Sequence, residues 1–440
     1  MKNIRIGLTI CMLMLTGLAW ATQAGSAVKT QAACRDAVDE ARELMERKLY
    51  QKAIASLEEA LAILEDADTR RLWRDASRMA YEDGVLTSKK YISAMETVAA
   101  LQPDNVENWE ELIGFCLEQG DYTTAYACCV DSEEAGVDGE ALQEYRRQAR
   151  YAYRSGSKVF TQVLQSPGGY SAVCDGSRWG ILDEDGGWET ECEYDMLSPL
   201  GAGMDRLTGI GENRRIVDGD KVVQSFFPET AEALRAVGDG ILPVLNGGSW
   251  RYYDSLASGF IPGSYEDASS FQGGAAAVKE NGSWTLVGRD GTSPEDAAFE
   301  DIKLYGSGEY LWDGMFVAKS GGSYGLYNQK AELVAGIDCT DMDAYYGGGI
   351  AYRDPGGKWG FMSRKGEVMI EPRFEGAKSF SNGLAAVCED GRWGFIDSSG
   401  KLAIDCQFLD AGYFTAGGVC FVSQLAGEYY IINLRFPEGT

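Results

Sequence analysis

The chain of 440 residues contains no histidine. This absence excludes Ser-His-Asp and Cys-His nucleophile systems in their usual form, together with metal sites that use imidazole ligands. A Walker A motif and a dinucleotide-binding fingerprint are also missing, because the glycine run at residues 347–349 is not followed by a helical pattern. The sequence therefore predicts no catalytic residue, no cofactor and no metal ligand.

Positive charge is scarce. The 40 Lys and Arg residues face 67 Asp and Glu residues, which gives a formal net charge of −27. Such a surface repels phosphate backbones and anionic lipids, so we expect no nucleic-acid partner. The acidic balance favours solubility and attracts basic or cationic partners.

Long apolar runs are absent except near the N-terminus. Lys2 and Arg5 lead into an apolar run at residues 6–18, and small-residue cleavage sites follow at residues 19–24. A membrane-spanning helix needs about 20 apolar residues, so this pattern is typical of a cleaved signal peptide, which we assign to residues 1–24. We expect an exported protein (secreted, periplasmic or cell-surface) with no membrane insertion after cleavage.

Residues 32–156 have a helical apolar period and almost no proline. Residues 50–54 and 120–125 resemble the helix-turn-helix signature of tetratricopeptide repeats, which implies stacked helix pairs that bury their apolar faces against one another. A terminal helix is expected near residues 139–153. The positions that carry the resemblance are Tyr50, Ala53, Leu57, Ala60, Tyr91, Ala94, Trp109, Leu112, Gly120, Tyr122 and Ala125.

Residues 157–440 contain a repeated unit instead. Each unit has an anchor residue, a turn shortly before it and usually a second turn after it, which predicts three short strands joined by hairpin turns. The anchors recur every 34 to 40 residues, and the longest interval contains the extra segment 305–312. They are Trp179, Arg215, Trp250, Trp284, Tyr324, Trp359, Trp393 and Tyr429.

The middle strand of each unit is apolar on both faces. Phe395 and Ile396, for example, follow Trp393 at the second and third positions. Because side chains alternate along a strand, this pattern predicts small sheets packed face to face in a ring. Gly394, directly after the anchor, indicates that another group packs closely over the backbone.

Residues 359–361, 370–375 and 380–387 resemble the WG-repeat family, also called KWG repeats. The resemblance implies an all-β repeat fold and brings no catalytic residues. We therefore expect an α+β multidomain protein in which a TPR-like α-helical solenoid precedes a propeller-like array of about eight units. An open β-solenoid is the alternative. For a closed ring, residues 159–164 are expected to pair with residues 429–434, because the last unit lacks its third strand.

The cysteines favour buried free thiols. Cys174 and Cys388 occupy one repeat position, and Cys192 and Cys406 another. These positions lie on first and third strands, roughly 10 Å apart and beyond disulfide reach, although pairing between units stays open. The segment 183–186 suggests calcium binding, but the matching turn at 363–366 contains Arg-Lys, which favours a hairpin turn.

Aromatic residues in loops are the best binding candidates, because loops on a rigid scaffold are where contacts are usually made. The candidates are Tyr305, Tyr310, Trp312, Tyr345 and Tyr346. We expect a non-catalytic scaffold outside the cytoplasm that binds a protein or glycan partner of the cell envelope. The alternatives are a carboxylate-dependent glycan-active enzyme with its site at the mouth of the propeller, and a structural component of an envelope assembly.

Overall fold

The computed structural model describes residues 23–166, 168–199, 205–210, 213–218, 221–225, 231–254, 257, 259–293 and 298–436, and only the backbone of residues 23–31 and 205–225. The chain divides into two compact units, Met1–Ala149 and Arg150–Thr440. Nearly all of the predicted signal peptide lies outside the described residues. None of the described helices is long and apolar enough to cross a membrane.

The described residues of the first unit form seven helices: α1 (Gln23–Glu46), α2 (Tyr50–Ile63), α3 (Ala67–Glu82), α4 (Ser88–Leu101), α5 (Val106–Glu118), α6 (Tyr122–Glu134) and α7 (Glu140–Arg150). Side-chain caps set several starts. Asp66, Asn105 and Asp121 each accept a hydrogen bond from the backbone N–H three residues later, which satisfies a donor that the first helical turn leaves free.

The helical repeat predicted from the sequence is confirmed. Ala53, Ala94 and Ala125 are at most 1% exposed, as expected for small residues at close helix contacts. Trp109 and Leu112 of α5 pack in one hydrophobic cluster with residues of α4, α6 and α7. The apolar faces that single helices cannot bury are therefore buried between neighbouring helices.

The second unit begins with β1 (Tyr153–Phe160) and continues as small antiparallel sheets, eight among the described residues. Sheet 1 contains β2 (Gln162–Gln165), β3 (Ser171–Cys174), β4 (Trp179–Leu182) and β5 (Trp188–Tyr194). Sheet 2 contains β6 (Met196–Leu197), β7 (Asp205–Ile210), β8 (Asn213–Asp218) and β9 (Lys221–Ser225). Sheet 3 contains β10 (Ala233–Leu234), β11 (Ile241–Asn246), β12 (Ser249–Asp254) and β13 (Gly259–Phe260). Sheet 4 contains β14 (Asp267–Ala268), β15 (Ala275–Glu280) and β16 (Ser283–Gly288).

The remaining sheets follow the same pattern. Sheet 5 contains β17 (Asp301–Ile302), β18 (Met315–Ser320), β19 (Ser323–Asn328) and β20 (Leu333–Gly336). Sheet 6 contains β21 (Asp341–Met342), β22 (Ile350–Arg353), β23 (Trp359–Met362) and β24 (Val368–Phe374). Sheet 7 contains β25 (Gly376–Ala377), β26 (Leu384–Glu389), β27 (Arg392–Asp397) and β28 (Leu402–Phe408). Sheet 8 contains β29 (Asp410–Ala411), β30 (Val419–Leu425), β31 (Glu428–Leu434) and, out of chain order, β1.

This second unit is a β-propeller, as the repeat predicted. The expectation of three strands in each sheet was wrong, because most sheets have a fourth, first strand of only two residues, such as Gly376–Ala377. Two residues are too few to show the alternation that identifies a strand in a sequence. Both faces of the middle strands are buried, as predicted: Phe395 and Ile396 are at most 1% exposed.

The first strand of the unit completes the last sheet. Tyr153 of β1 pairs with Leu434 of β31, and Phe160 pairs with Tyr429. The predicted pairing of an N-terminal strand with residues 429–434 is thus confirmed. The paired strand begins and ends earlier in the chain than the predicted residues 159–164, because Gln162–Gln165 forms the first strand of sheet 1. The ring is closed by strands from its two ends, and the open solenoid is not observed.

The glycine after the anchor has a steric cause. A Cβ atom on Gly180 or Gly394 would lie 2.6 Å from a carbonyl oxygen of the neighbouring outer strand. In both sheets the pairing of that outer strand shifts register opposite the glycine. Sheets 3 and 4 have no glycine after the anchor. In sheet 3, where Arg251 follows Trp250, the outer strand has only two residues. In sheet 4, where Thr285 follows Trp284, the described residues contain no outer strand. The Trp-Gly pair therefore marks a sheet whose outer strand bulges over the middle strand.

The anchors are core residues to different degrees. Trp250, Trp284 and Tyr324 are less than 10% exposed, whereas Trp179, Trp359, Trp393 and Tyr429 are half-buried. The side chain of Arg215 lies outside the described residues. The half-buried anchors still pack against the clusters that join neighbouring sheets, as Trp393 does against the cluster of sheets 7 and 8.

Candidate functional site

Loops that follow the first strands of seven sheets meet at the centre of the ring. Those of sheets 1, 5, 6, 7 and 8 line one pocket, and those of sheets 3 and 4 hydrogen-bond to the loop of sheet 5. The longest of these described loops connects β17 to β18 and corresponds to the irregular interval noticed in the sequence. Ser307 donates its N–H to the carbonyl oxygen of Gln165 in sheet 1, at 3.2 Å, and accepts from the N–H of Ala236 in sheet 3, at 2.8 Å. Gly308 accepts from the N–H of Ser270 in sheet 4, at 2.9 Å. The insertion therefore crosses the centre and ties four sheets together.

A buried carboxylate stabilises this crossing. Glu309 is 2% exposed and accepts hydrogen bonds from the hydroxyls of Ser166 and Ser307, both at 2.9 Å. Its second oxygen accepts from the Nε2 of Gln272 at 3.2 Å. A buried carboxylate is costly unless such donors compensate for the lost water, so Glu309 orders the side chains around it.

Three tyrosines pack beside the insertion. The rings of Tyr346 and Tyr413 stack with centroids 3.9 Å apart, and Tyr305 meets Tyr346 edge-on at 4.9 Å. Burial raises the pKa of all three phenols well above the ordinary value. The phenols are thus neutral donors and acceptors at any physiological pH.

Asp343 lies at the base of this tyrosine cluster. The hydroxyl of Tyr413 donates to both carboxylate oxygens at 2.8 and 2.9 Å, and the N–H of Ser379 donates at 2.7 Å. Burial raises the pKa of Asp343, and these hydrogen bonds and the Lys378 ammonium oppose that rise. The carboxylate is therefore held by neighbours and fixes the orientation of Tyr413.

Gln165 fixes the backbone on the other side of Tyr413. Its Nε2 donates to the carbonyl oxygen of Tyr413 at 3.0 Å, and its Oε1 accepts from the N–H of the same residue at 3.1 Å. Because Gln165 belongs to sheet 1 and Tyr413 to sheet 8, this double hydrogen bond joins the two ends of the ring next to the centre.

A pocket of about 230 Å³ opens over this cluster. Its lining comes from five sheets, since it is built from the loops after β2, β17, β21, β25 and β29 and from the β4–β5 turn. The lining residues are Gln165, Ser166, Gly168, Gly169, Glu184, Trp312, Tyr346, Ser381, Asn382, Tyr413, Phe414, Thr415 and Ala416.

Some polar side chains of the pocket already make hydrogen bonds within the protein, and one buried polar atom makes none among the described residues. The hydroxyl of Ser381 donates to the carbonyl oxygen of Phe414, and that of Thr415 donates to the carbonyl oxygen of Glu184. The buried Nδ2 of Asn382, in contrast, has no hydrogen-bond partner in the described part of the chain. Glu184 is the one carboxylate among the described lining residues, which include no Lys or Arg.

Two of the five predicted binding residues line this pocket: Trp312 and Tyr346. The other three candidates do not line it and are buried: Tyr305 is 4%, Tyr310 1% and Tyr345 2% exposed. Tyr310 belongs to the cluster of sheets 4 and 5, and Tyr345 to the cluster of sheets 5 and 6. Their loops run through the centre of the ring, where aromatic side chains pack into the core.

Sequence reasoning missed Gln165, Asn382 and Tyr413. An internal signal for Asn382 existed, because the Asn382-Gly383 turn stands where other units have Asp239-Gly240 and Asp313-Gly314. Gln165 and Tyr413 gave no such signal, because their contact joins positions 248 residues apart.

The turn considered for calcium is a hairpin turn. Asp183 uses one carboxylate oxygen to accept from the N–H groups of Asp185 and Gly187, at 3.0 and 2.7 Å. Within the described residues, no cluster of three or more acidic or cysteine side chains could hold a metal ion. The ten cysteines from Cys34 to Cys420 are free thiols, and eight of them are buried.

Three segments of the chain match the family model described as a WG containing repeat: residues 240–284, 359–393 and 393–425. No curated protein sequence is detectably similar to the chain.

Several solved structures resemble it at low similarity. Hsv2p of Kluyveromyces lactis is 10% identical with a TM-score of 0.36, covering 53% of this chain and 92% of its own. A eukaryotic initiation factor is 14% identical with a TM-score of 0.38, covering 66% and 88%. The TPR domain of Sgt2 from Aspergillus fumigatus is 20% identical with a TM-score of 0.20, covering 26% and 76%. Likeness at this level says nothing about what the chain binds.

Proposed function

We propose that this WG-repeat protein is a non-catalytic binding scaffold whose ligand occupies the central pocket. The observation that supports the proposal is the construction of the pocket. Loops from five sheets converge on it. The amide of Gln165, which donates to the Tyr413 carbonyl, and the carboxylates of Glu309 and Asp343, which accept from Ser166 and Tyr413, hold those loops in place. A concave site of aromatic and polar side chains on a rigid ring is the usual form of a ligand site.

The arrangement of carboxylates favours binding over glycan hydrolysis. Glycosidases generally place two carboxyl groups on either side of the scissile bond. In this pocket Glu184 is exposed, whereas Asp343 lies under Tyr413 and is engaged by its hydroxyl. Glu309 is likewise covered, by Ser166 and Ser307. One accessible carboxylate suits the recognition of a ligand better than the chemistry of a glycosidase.

Trp312 provides the test of the binding site. Saturation-transfer NMR on the full chain, with a library of neutral saccharides, short peptides and organic ions, should find ligands that Trp312→Leu weakens at least tenfold. Trp188→Leu is the matched control, because Trp188 is a half-buried tryptophan of the same propeller that does not line this pocket. A wild-type protein that binds no library member, or ligands indifferent to Trp312→Leu, would contradict the proposal. Recovery of a chemically altered ligand would favour the enzyme.

Export is the second part of the proposal. It is supported by the basic start, the apolar run at residues 6–18 and the small residues at 19–24. N-terminal sequencing of protein from an exporting host should begin between Thr22 and Ala27. An intact Met1 in the membrane fraction would show that the segment is retained, and the partner would then have to be sought at the membrane.

A further inference from the structure

The amide of Asn382 is a donor that the fold leaves unused. Asn382 lines the pocket, and its buried Nδ2 makes no hydrogen bond within the described part of the chain. A buried donor without a partner destabilises a protein, whereas a ligand oxygen at that place would satisfy it. The ligand therefore carries an acceptor oxygen, which a simple amine or metal cation lacks.

Two other sheets have an aspartate at the position of Asn382, and both aspartates make hydrogen bonds within the protein. Asp239 and Asp313 occupy the equivalent turns of sheets 3 and 5, and all three residues have φ near 50°. Asp239 accepts from the N–H of Gly274 in the next sheet at 2.7 Å, and Asp313 from Arg364 in the next sheet at 2.9 Å. Positive φ explains why Asn or Asp stands at the turn, but of the three residues only Asn382 lines the pocket and leaves a buried polar side-chain atom without a partner among the described residues.

The charge of the pocket excludes anionic ligands. Glu184 is exposed in the lining, no Lys or Arg accompanies it among the described lining residues, and the chain has a net charge of −27. A phosphate or carboxylate ligand would meet repulsion with no compensating cation. Glu184 instead accepts a hydrogen bond, so the ligand also carries a donor.

Shape supplies the last constraint. Trp312 is half-buried and contributes its apolar indole to the lining of the pocket. A volume of about 230 Å³ holds a single substituted ring, since a cavity of about 150 Å³ already accepts benzene. The ligand therefore combines one apolar face with hydroxyl groups around its edge.

We propose that the ligand of the central pocket is a neutral saccharide, of which one pyranose ring packs on Trp312. Hydroxyl groups both donate and accept, so one ring can accept from Asn382 and donate to Glu184. This inference rests on the proposed binding function and narrows it to one class of ligand.

Asn382→Asp is the decisive substitution, because aspartate already occupies the equivalent turns and replaces the amide donor with a negatively charged carboxylate oxygen that can only accept. The control is Asp239→Asn, the reverse change in a turn outside the pocket. Both proteins and the wild type would be titrated with methyl β-D-glucopyranoside, N-acetylglucosamine and N,N′-diacetylchitobiose. N-acetyl-triglycine amide, tetramethylammonium and inorganic phosphate serve as competing classes.

We expect at least one saccharide to bind the wild type and Asp239→Asn alike, and Asn382→Asp to weaken it roughly tenfold or more. Saccharide binding that is equal in all three proteins would overturn the assignment. Binding of the peptide, the cation or phosphate instead, with sensitivity to Trp312→Leu, would refute the saccharide but leave the binding scaffold standing. If no ligand of any class responds to Trp312→Leu, both proposals fail.

Discussion

At the scale of single residues, Asp343 links ionisation to stability. Burial raises its pKa above the ordinary value of 3.8, so the folded protein holds this proton more tightly than the unfolded chain does. The stabilising contribution is then complete below pH 3.8 and is lost as the pH rises through the folded-state pKa. Asp343→Asn removes this dependence, because an amide does not ionise.

We therefore expect Asp343→Asn to become more stable relative to wild type as the pH rises from 3.5 to 7. The measurement is the free energy of unfolding in urea at each pH. Asp175→Asn should show the opposite trend. Hydrogen bonds from the N–H groups of Arg178 and Ser177 lower the pKa of Asp175, so its contribution is lost as the pH falls. Parallel pH profiles for Asp343→Asn and wild type would contradict the prediction.

The aromatic residues selected from the sequence fall into two groups in the structure, those that line the pocket and those that belong to the core. Trp312 and Tyr346 could be found, because aromatic residues in the intervals between predicted strands stand out against a repeat. Tyr310 and Tyr345 belong to the same intervals and are core residues, and nothing local distinguishes them. Whether a loop aromatic faces solvent depends on sheets far away in sequence, which a single chain does not reveal.

At the scale of elements, the β17–β18 loop holds the centre of the ring through close backbone contacts. Gly308 has φ +91°, and a Cβ atom there would lie 2.3 to 2.6 Å from the side chain of Arg235. Gly314, in the same loop, has φ +70° but nothing within 4 Å of its Cβ position. Alanine would be strained at both positions because of the positive φ. Only at Gly308 would its Cβ atom also clash with the side chain of Arg235.

Gly308→Ala should therefore lower the thermal unfolding midpoint by several degrees more than Gly314→Ala, followed by far-UV circular dichroism. An added clash in a packed interior typically costs about 1–3 kcal/mol. Equal midpoints would mean that Arg235 moves aside freely and that the insertion is not held tightly at this point.

Elements also show what periodicity can and cannot predict. The middle strands were predicted correctly, since both their faces are apolar and turns bound them. The two-residue first strands, such as β25, were not predicted, although the loops that follow them build the pocket. The glycine of the Trp-Gly pair predicted a close contact over the strand, and the carbonyl oxygens near Gly180 and Gly394 confirm it.

At the scale of the whole propeller, Phe160 joins the two ends of the ring. It is 1% exposed and packs with Val173 and Leu182 of sheet 1 and with Phe421 of sheet 8. Phe160→Ala should lower the unfolding free energy by about 3–5 kcal/mol, as truncations of buried aromatics do. Because the lost contacts lie at the closure, amide exchange should accelerate most in β31 and β2.

Phe316→Ala is the matched control, since Phe316 is equally buried but belongs to the cluster of sheets 4 and 5. It should destabilise the protein to a similar degree while exchange in β31 stays as slow as in wild type. If both variants accelerate exchange uniformly, the ring unfolds as one unit and its closure is not a separate step.

The pairing of β1 with β31 also sets an order of events during synthesis. The partners at the closure are distant in the chain: Arg150 donates to the carbonyl oxygen of Phe436, 286 residues later. A ribosome that adds about 5–20 residues per second releases Tyr153–Phe160 many seconds before Glu428–Leu434. Throughout that interval β1 has no partner strand and the interface between the first and last sheets is incomplete, so the nascent chain presents an unpaired edge strand to any chaperone that binds extended segments.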